Sequence, residues 1–117
     1  MAAPNIVGVT AIAGKTSVQI VGSSATAIVT NSGGSNKVIK LNALYVSNVD
    51  GANNYTLTMD LYRSAVAYRL GYLITVPAAS TLDVISKAFY LEEGDSLRLT
   101  GSSANKLEAL CSYEEIS

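Results

Sequence analysis

Apolar and polar positions alternate along much of this chain with a period of two residues. Between Tyr55 and Tyr62 the odd-numbered positions are tyrosine, leucine, methionine and leucine, and the even-numbered positions are mostly polar. Leu97 and Leu99 alternate with polar neighbours in the same way. A period of two places successive side chains on opposite faces of a β-strand, so each segment is predicted to be a strand with one face in the core.

A second kind of segment carries apolar residues on both faces. Residues 38–46 read VIKLNALYV, and residues 68–76, which read YRLGYLITV, have the same character towards their end. A strand that is apolar on both faces is typical of the centre of a sheet, or of a strand whose outer face contacts a partner. Both segments are therefore predicted to lie inside a sheet or at an interface.

Clusters of turn-forming residues separate the apolar segments at intervals of about a dozen residues, as in sandwiches and barrels. They are rich in Gly, Ser, Asn, Asp and Pro, and they lie at residues 22–24, 31–36, 50–54, 77–79, 92–95 and 101–103. The segments between them amount to about eight or nine strands. We therefore predict an all-β fold, an antiparallel β-sandwich of about eight strands over residues 16–117, with residues 1–15 as an N-terminal arm or a first edge strand.

One segment has an ambiguous pattern. Residues 80–83 have the composition of a helix start, and Leu82, Ile85 and Phe89 are spaced as on one face of a helix. The same residues also alternate as in a strand, and Pro77 fits a loop that leads into a strand. A strand is the favoured interpretation.

Charged residues are scarce, and this excludes several functions. Lys and Arg number 8 and Asp and Glu number 9, which is 15% of the chain against about 25% in an ordinary soluble domain. A net charge of −1 offers no basic face for nucleic acid. Without histidine, a Ser-His-Asp or Cys-His catalytic arrangement and a histidine-based metal site are impossible within one chain. We expect no enzymatic activity and no nucleic-acid partner.

Membrane insertion and export are also not expected. No run of residues approaches the length of about 18 apolar residues that a membrane helix needs. The first five residues, MAAPN, lack the lysine or arginine of a signal peptide. The chain is therefore expected to be soluble.

The few candidates for site chemistry each have a structural interpretation. Residues 92–95, EEGD, concentrate three carboxylates that could bind a hard cation, but they lack the spacing of a calcium loop and are predicted to form a turn in which Gly94 has positive φ. Asp50 could also contribute an oxygen ligand to a cation, but Asp50 and Gly51 form a dipeptide that is typical of turns, and a turn is the favoured interpretation. Cys111 lies in an alternating segment and is predicted to be a small buried residue. We predict no catalytic, cofactor or metal residues.

The distribution of charge and of tyrosine points to contacts between protein surfaces. Residues 1–82 carry five basic and two acidic side chains, whereas residues 83–117 carry three basic and seven acidic ones, so complementary patches could meet between copies. Seven tyrosines against one phenylalanine are typical of interfaces. The candidate interface residues are Lys37, Lys40, Tyr45, Tyr62, Arg69, Glu114 and Glu115. Tyr62, Tyr68 and Tyr72 are the alternative candidates for stacking on sugars.

Some stretches of the sequence also carry a family resemblance. Residues 35–48 read SNKVIKLNALYVSN, residues 90–99 read YLEEGDSLRL, and residues 111–117 read CSYEEIS. They resemble small virion structural proteins of tailed bacteriophages, especially those that infect marine cyanobacteria, and the resemblance covers most of the chain from about Thr16 onward. It implies a β-sandwich, often jelly-roll-like, that occurs in many copies on a virion and has no catalytic motif.

The leading hypothesis is therefore a non-enzymatic virion protein, a decoration or cement subunit that stabilises the capsid. Its expected partners are further copies of itself, with a trimer favoured, and the major capsid protein or other virion proteins. The alternative is a neck, tail or fibre component that contacts the host surface as a carbohydrate-binding module. The scarcity of charge agrees with a surface that is covered by other protein, because interface cores are depleted in charged residues.

Overall fold

The structure is a computed structural model that describes residues 10–117 of the chain. The first nine residues of the predicted N-terminal arm lie outside the described residues, so the division at residue 15 stays a prediction. Within residues 10–117 all regular structure is β, and no helix occurs. The strands are β1 (Ile12–Ile20), β2 (Thr26–Thr30), β3 (Val38–Asn48), β4 (Tyr55–Arg63), β5 (Val66–Val76), β6 (Thr81–Asp83), β7 (Phe89–Leu91), β8 (Ser96–Gly101) and β9 (Leu107–Ile116).

The strands form two antiparallel sheets that pack face to face. The first sheet has the order β1-β9-β3-β6, with β7 pairing the other end of β3, and the second has the order β2-β8-β4-β5. Successive strands alternate between the two sheets, except that β5 follows β4 in the second sheet and β7 follows β6 in the first. When the short strands β6 and β7 are counted as one interrupted strand, each layer has four strands, and layers linked in this way form a jelly roll. The predicted fold class is confirmed.

The β3 strand lies in the interior of the first sheet, as its two-sided apolar pattern predicted. It pairs β9 along its whole length on one side and β6 and β7 on the other. Leu41, Leu44 and Val46 are fully buried against the second sheet. The change from odd to even core positions follows from a β-bulge between Leu41 and Ala43, which inserts one extra residue into the strand.

For residues 68–76 the structure contradicts the interior strand, and the alternative of a strand that contacts a partner stays a prediction. The β5 strand lies at the free edge of the second sheet, and most of its side chains are exposed. Only Val76 is fully buried, and Ile74 packs against the core. The two-sided apolar pattern therefore marks an edge strand whose exposed apolar side chains have no partner among the described residues.

The ambiguous segment forms two short strands. Residues Thr81–Asp83 and Phe89–Leu91 both pair antiparallel with β3, and together they take the place of one jelly-roll strand. The Asp83 carboxylate accepts a hydrogen bond from the Ile85 amide just after the first strand ends, which favours a bend there. The strand interpretation is thus confirmed at residues 81–83, and the intervening residues are neither strand nor helix.

Two buried asparagines hold the ends of β3. Asn31 donates to the carbonyl oxygens of Lys37 and Leu91, and Asn48 donates to those of Asn53 and Val76. Such bonds satisfy backbone groups in loops that enter the sandwich at its two ends.

Candidate functional site

Two of the three carboxylates of residues 92–95, those of Glu92 and Asp95, are bound by an arginine at the end of β4. Arg63 donates from Nε and Nη2 to Asp95 at 2.7 and 2.6 Å and from Nη2 to Glu92 at 2.8 Å. The hydrogen bond from Arg63 holds the pKa of buried Asp95 below its usual range. Gly94 has a φ of 89°, as the turn prediction required. The arrangement is a structural ion-pair cluster around a turn.

The other turn carboxylate, Asp50, is also used by its own loop. It accepts hydrogen bonds from the amides of Ala52 and Asn53 and from the Tyr55 hydroxyl, and these lower its pKa to about 2. Lys106 lies 3.6 Å from the same carboxylate. Across residues 10–117, no three His, Cys, Asp or Glu side chains are grouped so that they could hold a metal ion.

Cys111 faces the core between the sheets. Its side chain is fully buried, and burial raises the pKa of its thiol to about 11. The thiol therefore stays protonated at neutral pH and is a poor nucleophile. The prediction of a small buried residue is confirmed.

The outer face of the first sheet bears an apolar groove. Strand pairing aligns Val18, Leu110 and Tyr45 in one row across β1, β9 and β3, and Ile20 begins the next row. All four side chains are exposed, Val18 to 73%. The groove has a volume of about 540 Å³, and its lining residues are Val18, Gln19, Ile20, Tyr45, Ser47, Glu108, Ala109 and Leu110.

The position of this groove depends on how β1 is turned. Ser17 donates to the carbonyl oxygen of Ile28, and Gln19 donates to that of Ala27, so the polar residues of β1 face β2. Successive side chains of a strand point to opposite faces, which turns Val18 and its even-numbered neighbours outward. Sequence reasoning missed this surface, although the period of two in β1 was a signal for it.

Charged residues on the same outer face are mostly acidic. Asp83, Glu108 and Glu114 share this face with one lysine, Lys40, as the strand register shows. Glu114 lies opposite Lys40 and accepts a hydrogen bond from Asn42 at 3.3 Å. The strands of the first sheet therefore present an apolar groove on a face of net negative charge.

Glu115 points to the other side of the same strand and gathers two lysines. Its carboxylate lies 2.8 Å from Lys15 and 3.3 Å from Lys37. The hydrogen bond from Lys15 lowers the pKa of Glu115, and the pKa of Lys15 is raised in turn. Lys37 and Glu115, two of the predicted interface residues, thus form an ion pair with each other within one chain.

The outer face of the second sheet is built from arginine and tyrosine. The Arg98 guanidinium lies 3.4 Å from the centre of the Tyr62 ring. Arg69 forms an ion pair with Asp60, which is buried beneath it, and lies 5.5 Å from the ring of Tyr72. Arg69 thus covers the buried aspartate on the even-numbered face of β4.

The exposed apolar side chains of β5 form a ridge along the free edge of the second sheet. We call this set the β5 ridge: Val66, Tyr68, Leu70, Tyr72 and Leu73. Tyr72 is 65% exposed. Strand register places Tyr68 beside core-facing Leu61, whereas Tyr62 points to the outer face of the sheet. The three tyrosines predicted for sugar stacking therefore do not form one flat platform, and the ring of Tyr62 already carries Arg98.

The predicted interface residues fall into two groups. Lys37, Lys40, Tyr45, Glu114 and Glu115 belong to the first sheet or its margin, and Tyr62 and Arg69 belong to the second. Tyr45 lines the groove, and Arg69 lies within the β5 ridge segment. Their role in an interface stays a prediction.

A comparison with solved structures supports the fold. No protein-family profile and no curated protein matches the chain. One similar solved structure is described as "Bacillus endospore appendages form a novel family of disulfide-linked pili"; it has a TM-score of 0.52 and 16% identity, over 90% of this chain and 85% of that one. Another, "Crystal Structure of a Pentameric Capsid Protein Isolated from Metagenomic Phage Sequences", has a TM-score of 0.41 and 16% identity, over 84% and 59%.

At this level of identity the comparison with the pilus structure supports the fold alone.

Among the residues that the structure describes, no helix could span a membrane. Two apolar surfaces are exposed on this jelly roll, the groove on the first sheet and the β5 ridge on the second.

Proposed function

We propose that this protein is a non-enzymatic structural subunit of a phage particle, a decoration or cement protein that stabilises the capsid by covering joints between capsid proteins. The observation that carries the proposal is the pair of exposed apolar surfaces, the groove and the β5 ridge, on opposite sheets of one small domain. Large apolar patches on a folded domain mark sites of protein association. The resemblance to small phage virion proteins is the reason for proposing that the particle is a phage.

The remaining surface supports the same proposal. The chain contains 14 serines, 9 threonines and 8 asparagines, and charged residues are 15% of it. A surface destined for permanent contact avoids buried unpaired charges, because each costs several kcal/mol when water is removed. Uncharged polar side chains can be covered at lower cost.

The groups that could perform chemistry support a role without catalysis. Asp95 is bound by Arg63, Asp50 is bound by its own turn, and the thiol of Cys111 is buried and protonated. Each group therefore has a structural use that leaves it no reactive partner.

The experiment is to add purified protein to phage shells that lack it, to sediment the shells, and to measure bound protein and the temperature at which the shells release DNA. Saturable binding that raises this temperature is the expected result. Tyr45→Ala should weaken binding, because it removes part of the apolar surface that other protein covers in the particle, and Tyr113→Phe, which keeps the half-buried ring, is the control. Shells that bind no protein would refute the decoration role, and saturable binding to host cells instead would support the neck, tail or fibre alternative.

The proposed oligomer is a trimer placed at local three-fold positions of the shell. Each subunit of such a ring uses two different surfaces, one for each neighbour. The groove and the β5 ridge meet this requirement because they lie on different sheets. Sedimentation equilibrium of the purified protein tests the trimer directly.

A further inference from the structure

The groove and the β5 ridge differ in shape, in position and in the charge around them. The groove is a concave surface on the first sheet, at the β1 side of the sandwich. The β5 ridge is a row of projecting side chains at the free edge of the second sheet. When two copies meet about a two-fold axis, each surface contacts the same surface of the partner. A concave groove that meets a second concave groove is left unfilled.

Charge also distinguishes the two surfaces. The strands of the first sheet present Asp83, Glu108 and Glu114 against Lys40 on the outer face. The strands of the second sheet present two arginines, Arg69 and Arg98, against Asp60. Groove-to-groove contact would bring acidic faces together, whereas groove-to-ridge contact brings a net negative face to a net positive one.

We propose that the groove of one copy receives the β5 ridge of a second copy of this chain, so that subunits associate head to tail. This inference deepens the proposed function. It rests on that function only for the statement that the subunits assemble on a phage particle. In the contact, Tyr72 and Leu73 of one copy enter the groove beside Val18 and Leu110 of the next. Glu108 lines the groove and Arg69 lies 5.5 Å from the centre of the Tyr72 ring, so opposite charges meet in this contact.

The size of the domain is sufficient for such a contact. The molecule measures 49 × 26 × 19 Å, and the shortest dimension is that of two stacked sheets with their side chains. A broad face of 49 by 26 Å can supply the area of about 800 Å² per partner that stable interfaces bury. Exposed aromatic and aliphatic side chains such as those of the groove and the β5 ridge are the anchors that carry most of the binding energy in such interfaces.

Head-to-tail contact makes a prediction that two-fold contact does not. Val18→Asp damages only the groove, and Tyr72→Asp damages only the β5 ridge, so each variant keeps one intact surface. Both side chains are more than half exposed, so both variants should fold. Val49→Asp changes an apolar residue that is also more than half exposed but lies outside both surfaces, and it is the matched control.

The test is light scattering after size-exclusion chromatography on each protein and on a one-to-one mixture. We expect the wild type and Val49→Asp to form complexes larger than a dimer. Each single variant should weaken self-association by about tenfold or more and elute as a monomer. The mixture should form a dimer that grows no further, because only one intact groove and one intact ridge remain in each pair.

Four results would overturn the proposal: a wild type that stays monomeric, a wild type that stops at a dimer, a variant that assembles as the wild type does, or a mixture that stays monomeric. Ile20→Asp in the groove and Tyr68→Asp on the ridge repeat the test if either first variant has a lower melting temperature. A monomeric protein that still binds shells would refute the stacking and leave the proposed function standing. A protein that stacks but does not bind shells would do the reverse.

Discussion

Asn48, at the end of β3, offers a sharp test of how the loops are fixed to the sandwich. Its buried amide donates to the carbonyl oxygens of Val76 at 3.0 Å and Asn53 at 2.9 Å, and it accepts from the amide of Asp50 at 2.9 Å. Asn48→Asp keeps the shape and the acceptor but removes both donors. It also places a carboxylate beside two carbonyl oxygens.

The expected cost follows from these contacts. Two lost hydrogen bonds amount to about 2 kcal/mol, and a buried carbonyl left without its donor adds about 1–3 kcal/mol. We therefore expect Asn48→Asp to lower the free energy of unfolding by about 3 kcal/mol or more at neutral pH, out of the 5–15 kcal/mol typical of a domain. As the pH falls, the new carboxyl group becomes protonated and can donate again, so the loss should shrink.

The assay is urea unfolding of the wild type and the variant at neutral and at acidic pH. Asn54→Asp is the matched control, because the side chain of Asn54 accepts a hydrogen bond from the Ala78 amide and a carboxylate can do the same. The control should unfold within about 0.5 kcal/mol of the wild type. The reasoning fails if Asn48→Asp costs no more than the control, or if its cost is the same at both pH values.

Three further changes test other contacts. The Cys111 thiol should resist a thiol-specific reagent in the folded protein at mildly alkaline pH and react fully in urea; rapid labelling of folded protein would contradict its burial. Gly71→Ala should cost only about 1 kcal/mol or less in urea unfolding, because the added methyl group would meet Ile74 Cδ1, the free end of a side chain that can turn away; a loss of about 3 kcal/mol would contradict this freedom of Ile74. The lowered pKa of Asp95 means that its stabilisation is present above the usual pKa of an aspartate and is lost as the pH falls, so Asp95→Asn should be less stable at neutral pH and show a shallower loss of stability in acid; parallel pH profiles would refute the role of Arg63.

The sequence predicted the fold class because the strands follow local rules. Leu57 and Met59 are buried as their period of two required. The turns at residues 50–54 and 92–95 lie where Gly, Asn and Asp permit them. These features depend on neighbouring residues alone.

The surfaces could not be predicted because they depend on the pairing of distant strands. The pattern of residues 68–76 fits an interior strand and an exposed edge strand equally well, and only the strand order places it at the edge. In β1 the apolar even-numbered residues would be expected in the core. They face outward because Ser17 and Gln19 bond to the backbone of β2, a contact that no local pattern encodes.

The complementary charge halves of the sequence are only partly separated in space. The acidic residues of β9 do lie on the first sheet, while Asp95 and Glu92 are paired with Arg63 of the second. Folding thus neutralises part of the asymmetry within one chain. What remains is the net negative outer face around the groove and the arginines near the β5 ridge.

The central claim is that this domain is a structural subunit whose exposed apolar surfaces are covered by other protein in a particle. The most direct measurement is its copy number per particle, by quantitative mass spectrometry of purified phage that encodes it. The decoration role predicts on the order of hundreds of copies, as repeated positions on a symmetric shell require. Absence from the purified particle would contradict the account, and about a dozen copies would contradict the decoration role in favour of a neck or tail part.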